Sequence, residues 1–156
     1  MDERRFRKAM GTFPTGVTVI TTQAEDGIHG MTANAFMSVS LQPPLILIAI
    51  DEKARMLEKI KQVNRFGISI LKDNQRDLSM HFAGQKKMKE TIRFDWVSGL
   101  PVIAGSLAQF ACTTEKAIVA GDHTLFLGKV DEIRLNDSQN PLTFYQGNYY
   151  QLELDH

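Results

Sequence analysis

Two runs, Ser106 to Val119 and His123 to Leu135, are separated only by Ala120-Gly121-Asp122. Both read as long strands by their β-branched and aromatic content. A connection that short joins antiparallel neighbours, because parallel strands need a crossover of a dozen or more residues. This hairpin commits the C-terminal half to an antiparallel sheet, and the rest of the chain has to build on it. Gly16 to Thr22 (GVTVITT) is strand-like almost throughout, and Glu25-Asp26-Gly27 is a turn signal that returns it as Ile28 to Asn34. Val39 and Leu41 alternate with serines until Pro43-Pro44, after which Leu45 to Asp51 reads as a buried strand. Phe66 to Leu71 adds another, and Leu142 to Tyr145 with Asn148 to Leu152 form a last pair around Gln146-Gly147.

Helical spacing is confined to short pieces. Phe6, Ala9, Met10 and Phe13 predict a helix over 2–13, with Asp2 and Glu3 in its first turn, Gly11 weakening it and Pro14 stopping it. Met56, Leu57 and Ile60 share one face of 53–62, and Leu78 and Phe82 align in 74–82. From Ala83 to Val97 the pattern fades into Lys86, Lys87, Lys89 and Arg93 among polar residues, which predicts a mobile surface segment. About seven or eight strands and three short helices result, with no alternation of strand and long helix. A doubly wound parallel sheet is therefore disfavoured, and the prediction is a mainly β fold: a closed or partly split antiparallel barrel with peripheral helices.

The chain has 156 residues, the size of one domain, so 1–156 is read as a single unit. Two separate nucleotide-binding domains would not fit; if two nucleotides are used, one domain must bind both. Eighteen basic and eighteen acidic residues leave no net charge, which argues against a dedicated nucleic-acid or anionic-membrane binder. The longest apolar run, Leu45 to Ile50, is far below a membrane span, and the charged start MDERRFRKAM does not resemble a signal peptide. The single cysteine, Cys112, cannot form an internal disulfide and sits at an apolar strand position beside Ala111, so core packing in a reducing, cytoplasmic setting is expected.

The familiar chemical signatures are missing. No glycines fall as G-x-G-x-x-G, no P-loop or G-x-S-x-G elbow is present, and His29, His81, His123 and His156 are scattered without metal-ligand spacing. What stands out is GMTANAFMSVS at 30–40, small and hydroxyl-rich where a core strand would be apolar. Thr32, Asn34, Ser38 and Ser40 offer hydrogen bonds, Ala33 and Ala35 leave room, and Ser38 and Ser40 share a face if the stretch is extended. Such a segment suits a cradle for something flat and polar; it also suits an ordinary turn with serines in solvent.

TGVTVITT at 15–22, HGMTANAFMSVSLQPPL at 29–45, GDHTLFLGKV at 121–130 and the closing LTFYQGNYYQL resemble the short-chain flavin reductase family. That family supplies reduced flavin to two-component monooxygenases, including those that hydroxylate phenols and 4-hydroxyphenylacetate. The resemblance implies a split β-barrel, a homodimer, FAD or FMN as the flavin, NADH as hydride donor and a flavin-dependent monooxygenase as partner. Carried onto this chain, Thr32, Ala33, Asn34, Ser38, Val39 and Ser40 would line the flavin, with neighbouring backbone amides at the ring's pyrimidine edge. Lys53, at the start of a helix, would meet a phosphate, where helix amides add to the anion site. Phe82, Ala83 and Gly84 would make a second phosphate or adenine-side contact, although a helix C-terminus with a capping glycine explains them equally. His123, after the hairpin turn, and Tyr149, chosen over Tyr150 by strand alternation, would sit on the nicotinamide side; His123 is the candidate catalytic residue. A run such as Lys86, Lys87 and Lys89 could take a 2′-phosphate or simply be a solvated loop. Other readings of the same residues are an FMN oxidase of the pyridoxamine-phosphate-oxidase type, a flavin carrier or sensor without turnover, and a β-barrel module for an unrelated ligand.

Overall fold

The computed structural model describes residues 1–136 and 140–155. In chain order its elements are α1 (Glu3–Gly11), β1 (Thr15–Gly16), β2 (Thr18–Ala24), β3 (Gly27–Ala33), β4 (Phe36–Leu41), β5 (Pro44–Asp51), α2 (Arg55–Val63), β6 (Arg65–Ile70), a 3-10 turn (Asp73–Gln75), α3 (Arg76–Phe82), β7 (Phe94–Val97), β8 (Leu100–Ile103), β9 (Ala108–Ala120), β10 (His123–Leu135), β11 (Leu142–Tyr145) and β12 (Asn148–Gln151). The predicted hairpin is the spine. β9 and β10 pair from His123↔Ala120 to Leu135↔Ala108, leaving a two-residue turn in which Gly121 takes φ 61°.

Seven antiparallel strands make the main sheet, in the order β3-β2-β6-β9-β10-β5-β4. A three-stranded sheet, β1-β11-β12, and the hairpin β7-β8 complete the strands among the described residues. The fold is mainly β, as expected, but the main sheet is not closed into a barrel: β3 and β4 are its two edges. These edges are consecutive in the chain and joined only by Asn34-Ala35. A trans chain spans at most about 3.6 Å per residue, so at this end the edges stand no more than ~11 Å apart. The sheet therefore curls so that its two edges lie close together at this corner, with residues 34–35 as the strap.

Inside the curl, Ile46, Ile48 and Ile50 alternate inward along β5 and meet Ile20, Phe66, Ile68, Cys112 and Phe126. The buried face of α2, Met56, Leu57 and Ile60, closes this core. Across β2 a second cluster of Val17, Val19, Leu71, Ile103 and Leu142 packs under α3, which is why β2 is buried on both faces. α1 is different. Asp2 caps it through the Arg4 amide, yet it buries no residue, and Phe6, Met10 and Phe13 stay exposed.

Two expectations need correction. The segment predicted to be a mobile surface ends in β7, which pairs with β8 across Ser98-Gly99, both at positive φ. Val97, Leu100 and Val102 are buried against Ala111. Four-residue strands beside charged residues carry too little periodicity to be read from sequence. In β4, Ser38 faces Ile46 and Ser40 faces Leu45, so Val39 is the extra residue of a bulge. Ile46 and Leu45 are neighbours on opposite faces of β5, so Ser38 and Ser40 point to opposite faces, not to one.

Cys112 is fully buried on β9, and burial pushes its thiol up to about 12, with Asp131 adding to the rise. The thiol thus stays protonated throughout the pH range of ordinary handling. An aromatic disulfide reagent at pH 8 is expected to find essentially no reactive thiol until denaturant is added. One thiol per chain titrating at once in the native protein would contradict that placement. Among the described residues no helix is long and apolar enough to cross a membrane.

Candidate functional site

The strap between the sheet edges borders a pocket of about 180 Å³. One wall is the end of β3, with Thr32 and Ala33, running into Asn34. A second is α3 and the residues after it, through Ser79, Ala83 and Gln85. A third comes from the β11–β12 hairpin, where Phe144 and Tyr149 are cross-strand partners, and Val17 lies between the walls.

Each wall is held by identifiable contacts. α3 lies against β3 because Gly30 has no side chain: a Cβ there would stand 2.6 Å from the Phe82 ring. The Thr32 hydroxyl donates to the Ser79 carbonyl at 2.6 Å, and Ser79 Oγ stands 2.6 Å from the Tyr149 hydroxyl. The Arg76 guanidinium lies over the Tyr149 ring, 5.2 Å from its centroid, and Phe144 meets the same ring edge-on at 5.3 Å. The Ala33 carbonyl accepts from the Thr18 hydroxyl on β2. In a trans peptide the N–H points opposite to the C=O, so the Asn34 amide is aimed away from β2, across the open edge of β3. The Asn34 side chain is exposed at the same place.

Beyond the strap the chain leads to a charged corner. The Ala35 carbonyl accepts from the Ala49 amide at 3.3 Å, and two residues further along β5 Asp51 pairs with His123. That is about 7 Å of strand. Here the Lys53 amide donates to Asp51 Oδ1 at 2.8 Å, the Glu52 amide to the Asp122 carbonyl at 2.9 Å, and His123 Nδ1 lies 2.8 Å from Asp122 Oδ1. The His123 hydrogen bond, helped by the charges of His123 and Lys53, holds the Asp122 carboxyl below its ordinary range. With Nδ1 engaged by Asp122, Nε2 is the ring nitrogen directed away from that carboxylate.

The structure thus brings Thr32, Ala33, Asn34, Ala83 and Tyr149 into one pocket, and Lys53 and His123 into a neighbouring corner. Tyr150 points the other way, half exposed against Tyr145. Lys53 lies two residues before α2, not in its first turn. Ser38, Val39 and Ser40 lie on the edge strand running away from this end, and none of them lines the pocket. Phe82 is half-buried on Gly30 beside the second core cluster, and Gly84 ends α3 at φ 74° with open space around it, as a capping glycine does. Ser79, Gln85 and Phe144 are pocket residues that the sequence reading missed. Phe144 was reachable by counting outward from the Gln146-Gly147 turn to the partner of Tyr149. Ser79 was marked only by being a serine three residues before Phe82 on a packed helix face.

A model of the flavin reductase like domain matches residues 10–153. The chain belongs to the flavin reductase family. An NADH-dependent flavin reductase from a Rhodococcus species is 47% identical over 151 residues, covering 95% of this chain and 85% of that protein. The reductase component of 4-hydroxyphenylacetate 3-monooxygenase from Thermus thermophilus is 35% identical over 94% of this chain and 95% of its own length. The solved NADH:FAD oxidoreductase SgcE6 of Streptomyces globisporus, in complex with NAD and FAD fragments, superposes with a TM-score of 0.92 at 34% identity, over 99% of this flavin reductase chain and 94% of that one.

Proposed function

We propose that this protein transfers hydride from NADH to FAD, with FMN as a second acceptor, and passes the reduced flavin to a partner flavin-dependent monooxygenase, one acting on an aromatic such as 4-hydroxyphenylacetate or phenol. The observation that carries the reading, beside family membership, is the strap. It places an outward amide and a carboxamide at residue 34, next to small Ala33 and Ala83, on the rim of a pocket sized for one ring. At about 180 Å³ it is below the roughly 300–1,000 Å³ of a whole-ligand site. It fits one ring, the nicotinamide, with the flavin ring across the pocket mouth at Asn34 and the flavin's phosphate end lying along the strap toward Lys53.

The donor set fits the group. A flavin pyrimidine edge presents acceptors and an N–H, which the Asn34 amide and carboxamide complement. When bound, flavin and nicotinamide supply the hydride chemistry themselves, and the protein's task is to hold the two rings at a near-attack distance of about 3–3.5 Å. Thr32, Ala33 and Asn34 form one face of that holder and Tyr149 the other. Ala83 and Gly84 leave the space for a second phosphate or adenine-side contact, with Phe82 anchoring the helix end on Gly30. Lys53 supplies a positive charge for a phosphate, and His123 presents Nε2 toward the nicotinamide side. Ser38, Val39 and Ser40 can serve only the outer end of the ligand, since the bulge splits their faces.

A main sheet whose two edge strands are linked by only two residues supports a split barrel. A homodimer is supported by apolar surface no monomer covers: Phe6 and Met10 on α1, Phe13 just after it, Leu41 on β4, and Val119 and Leu135 on the central hairpin. A buried reduced thiol agrees with a cytoplasmic setting.

Steady-state turnover of NADH and of NADPH with FAD, FMN and riboflavin tests the activity directly. Consumption of NADH with FAD at the highest kcat/KM is expected. A protein that binds flavin but is reduced by neither nicotinamide would instead be a carrier or sensor.

A further inference from the structure

Strand pairing does not set the width of the pocket. Thr32 and Ala33 belong to the main sheet's edge strand β3 and Asn34 to the strap that follows it, whereas Tyr149 stands on β12 in the small sheet, and the two sheets share no strand. Val17, the one residue between β1 and β2, lines the pocket and packs in the cluster that holds Phe144 and Tyr149, but the hydrogen bonds that tie the two walls together pass through Ser79. The Ser79 carbonyl accepts the Thr32 hydroxyl, and its Oγ meets the Tyr149 hydroxyl, each at 2.6 Å. Ser79 has no exposed surface, so its hydroxyl has no water to turn to. A serine within a helix ordinarily bonds back to the carbonyl one turn earlier. This one is aimed out of the helix, at Tyr149. Arg76, one turn before it, covers the ring of the same tyrosine.

We propose that Ser79 is a positioning residue: its hydroxyl fixes the Tyr149 ring at a set distance from the Thr32–Asn34 wall and so sets the fit of the second ring, the nicotinamide, in the pocket. Its kinetic consequence rests on the reductase reading; its structural consequence does not. Tyr149 itself makes the contact, and Ser79 acts through it.

The test uses Ser79→Ala, Tyr149→Phe and the double variant of the full chain. The chain has three tyrosines, so their 13Cζ resonances are resolvable after tyrosine labelling, and Tyr149→Phe identifies its own. Ser79→Ala is expected to shift the Tyr149 resonance and to raise the KM for NADH and the Kd for NAD+ by about fivefold, the scale of one lost hydrogen bond. The KM for flavin should stay within about twofold. Tyr149→Phe should do the same to both nicotinamide constants, and the double variant should be no worse than either single one. A merely structural serine would lower thermal stability without separating the two KM values. An unmoved Tyr149 resonance, effects that multiply in the double variant, or an equal rise in both KM values would overturn the proposal. If Ser79→Ala fails to fold, Tyr149→Phe, on a half-buried residue, decides by the same KM split. If the wild type does not oxidise NADH at all, the reductase reading falls, and the strut is judged on the resonance and on NAD+ binding alone.

Discussion

Mixed anaerobically with NADH and FAD, the protein is expected to bleach the flavin absorbance about a thousandfold or more faster than the free reaction. A thousandfold corresponds to about 4 kcal/mol of barrier. Fixing two rings in a near-attack arrangement can be worth roughly 7–11 kcal/mol. Positioning alone is therefore sufficient, and no nucleophile, acid–base pair or other side-chain chemistry has to be found. Two variants divide the ligand between the pocket and the corner. Asn34→Leu removes the carboxamide at the ring edge and should slow turnover about tenfold or more at limiting flavin, for FAD, FMN and riboflavin alike. Lys53→Ala should weaken FAD and FMN but leave riboflavin unchanged, because riboflavin has no phosphate, and its effect should shrink as salt is added. Asn34 and Lys53 are both exposed, so neither change should disturb folding. If neither variant alters flavin affinity or turnover, the ligand lies elsewhere on the chain.

The parts of this molecule that were legible in the sequence are those whose signal is local. The β9–β10 hairpin was legible because a three-residue gap between long strand-like runs leaves one topology, and the observed turn is tighter by one residue. α2 was legible because Met56, Leu57 and Ile60 repeat at helical spacing and are buried together. The Asn34 end of the cradle stood out because small polar residues are out of place in a core strand. The remainder depends on pairing that no local pattern encodes. The Val39 bulge is a property of β4 against β5, so the sequence could not say that Ser38 and Ser40 diverge. The Phe144–Tyr149 wall reaches the pocket only because the small sheet docks beside α3, through contacts such as the Leu142 amide on the Leu71 carbonyl. Phe82 attracted a ligand role from its neighbours Ala83 and Gly84, yet its ring rests on Gly30, 52 residues away in sequence, a contact invisible without the fold.

Two glycines with similarly tight surroundings are expected to respond differently to the same added methyl group, one mainly in stability and the other mainly in ligand affinity. Gly67, on β6, would place a Cβ 2.8 Å from Thr21 Oγ1, 2.8 Å from Val102 Cγ1 and 2.9 Å from the Pro101 carbonyl oxygen. Thr21 and Val102 are fully buried, Pro101 contributes backbone, and the Thr21 hydroxyl donates to that Pro101 carbonyl. Nothing there can swing aside, so Gly67→Ala must push β8 off the β2–β6 pair and break a buried hydrogen bond. Overpacking of about 1–3 kcal/mol and a lost buried partner of similar size act together. In a chain of this length that should lower Tm by roughly 5–15 °C. Gly30→Ala meets only the Phe82 ring, at 2.6 Å, and that ring is half-buried at the end of α3. The ring can turn outward, so the loss of Tm should be smaller than for Gly67→Ala, by at least about 4 °C. Its cost should appear instead in flavin and nicotinamide affinity, because α3 carries Ser79 and Ala83 into the pocket. Thermal melts of the two variants beside their KM values test both halves. A Gly67→Ala protein as stable as the wild type would mean that β8 is not packed as tightly on the sheet as these distances require.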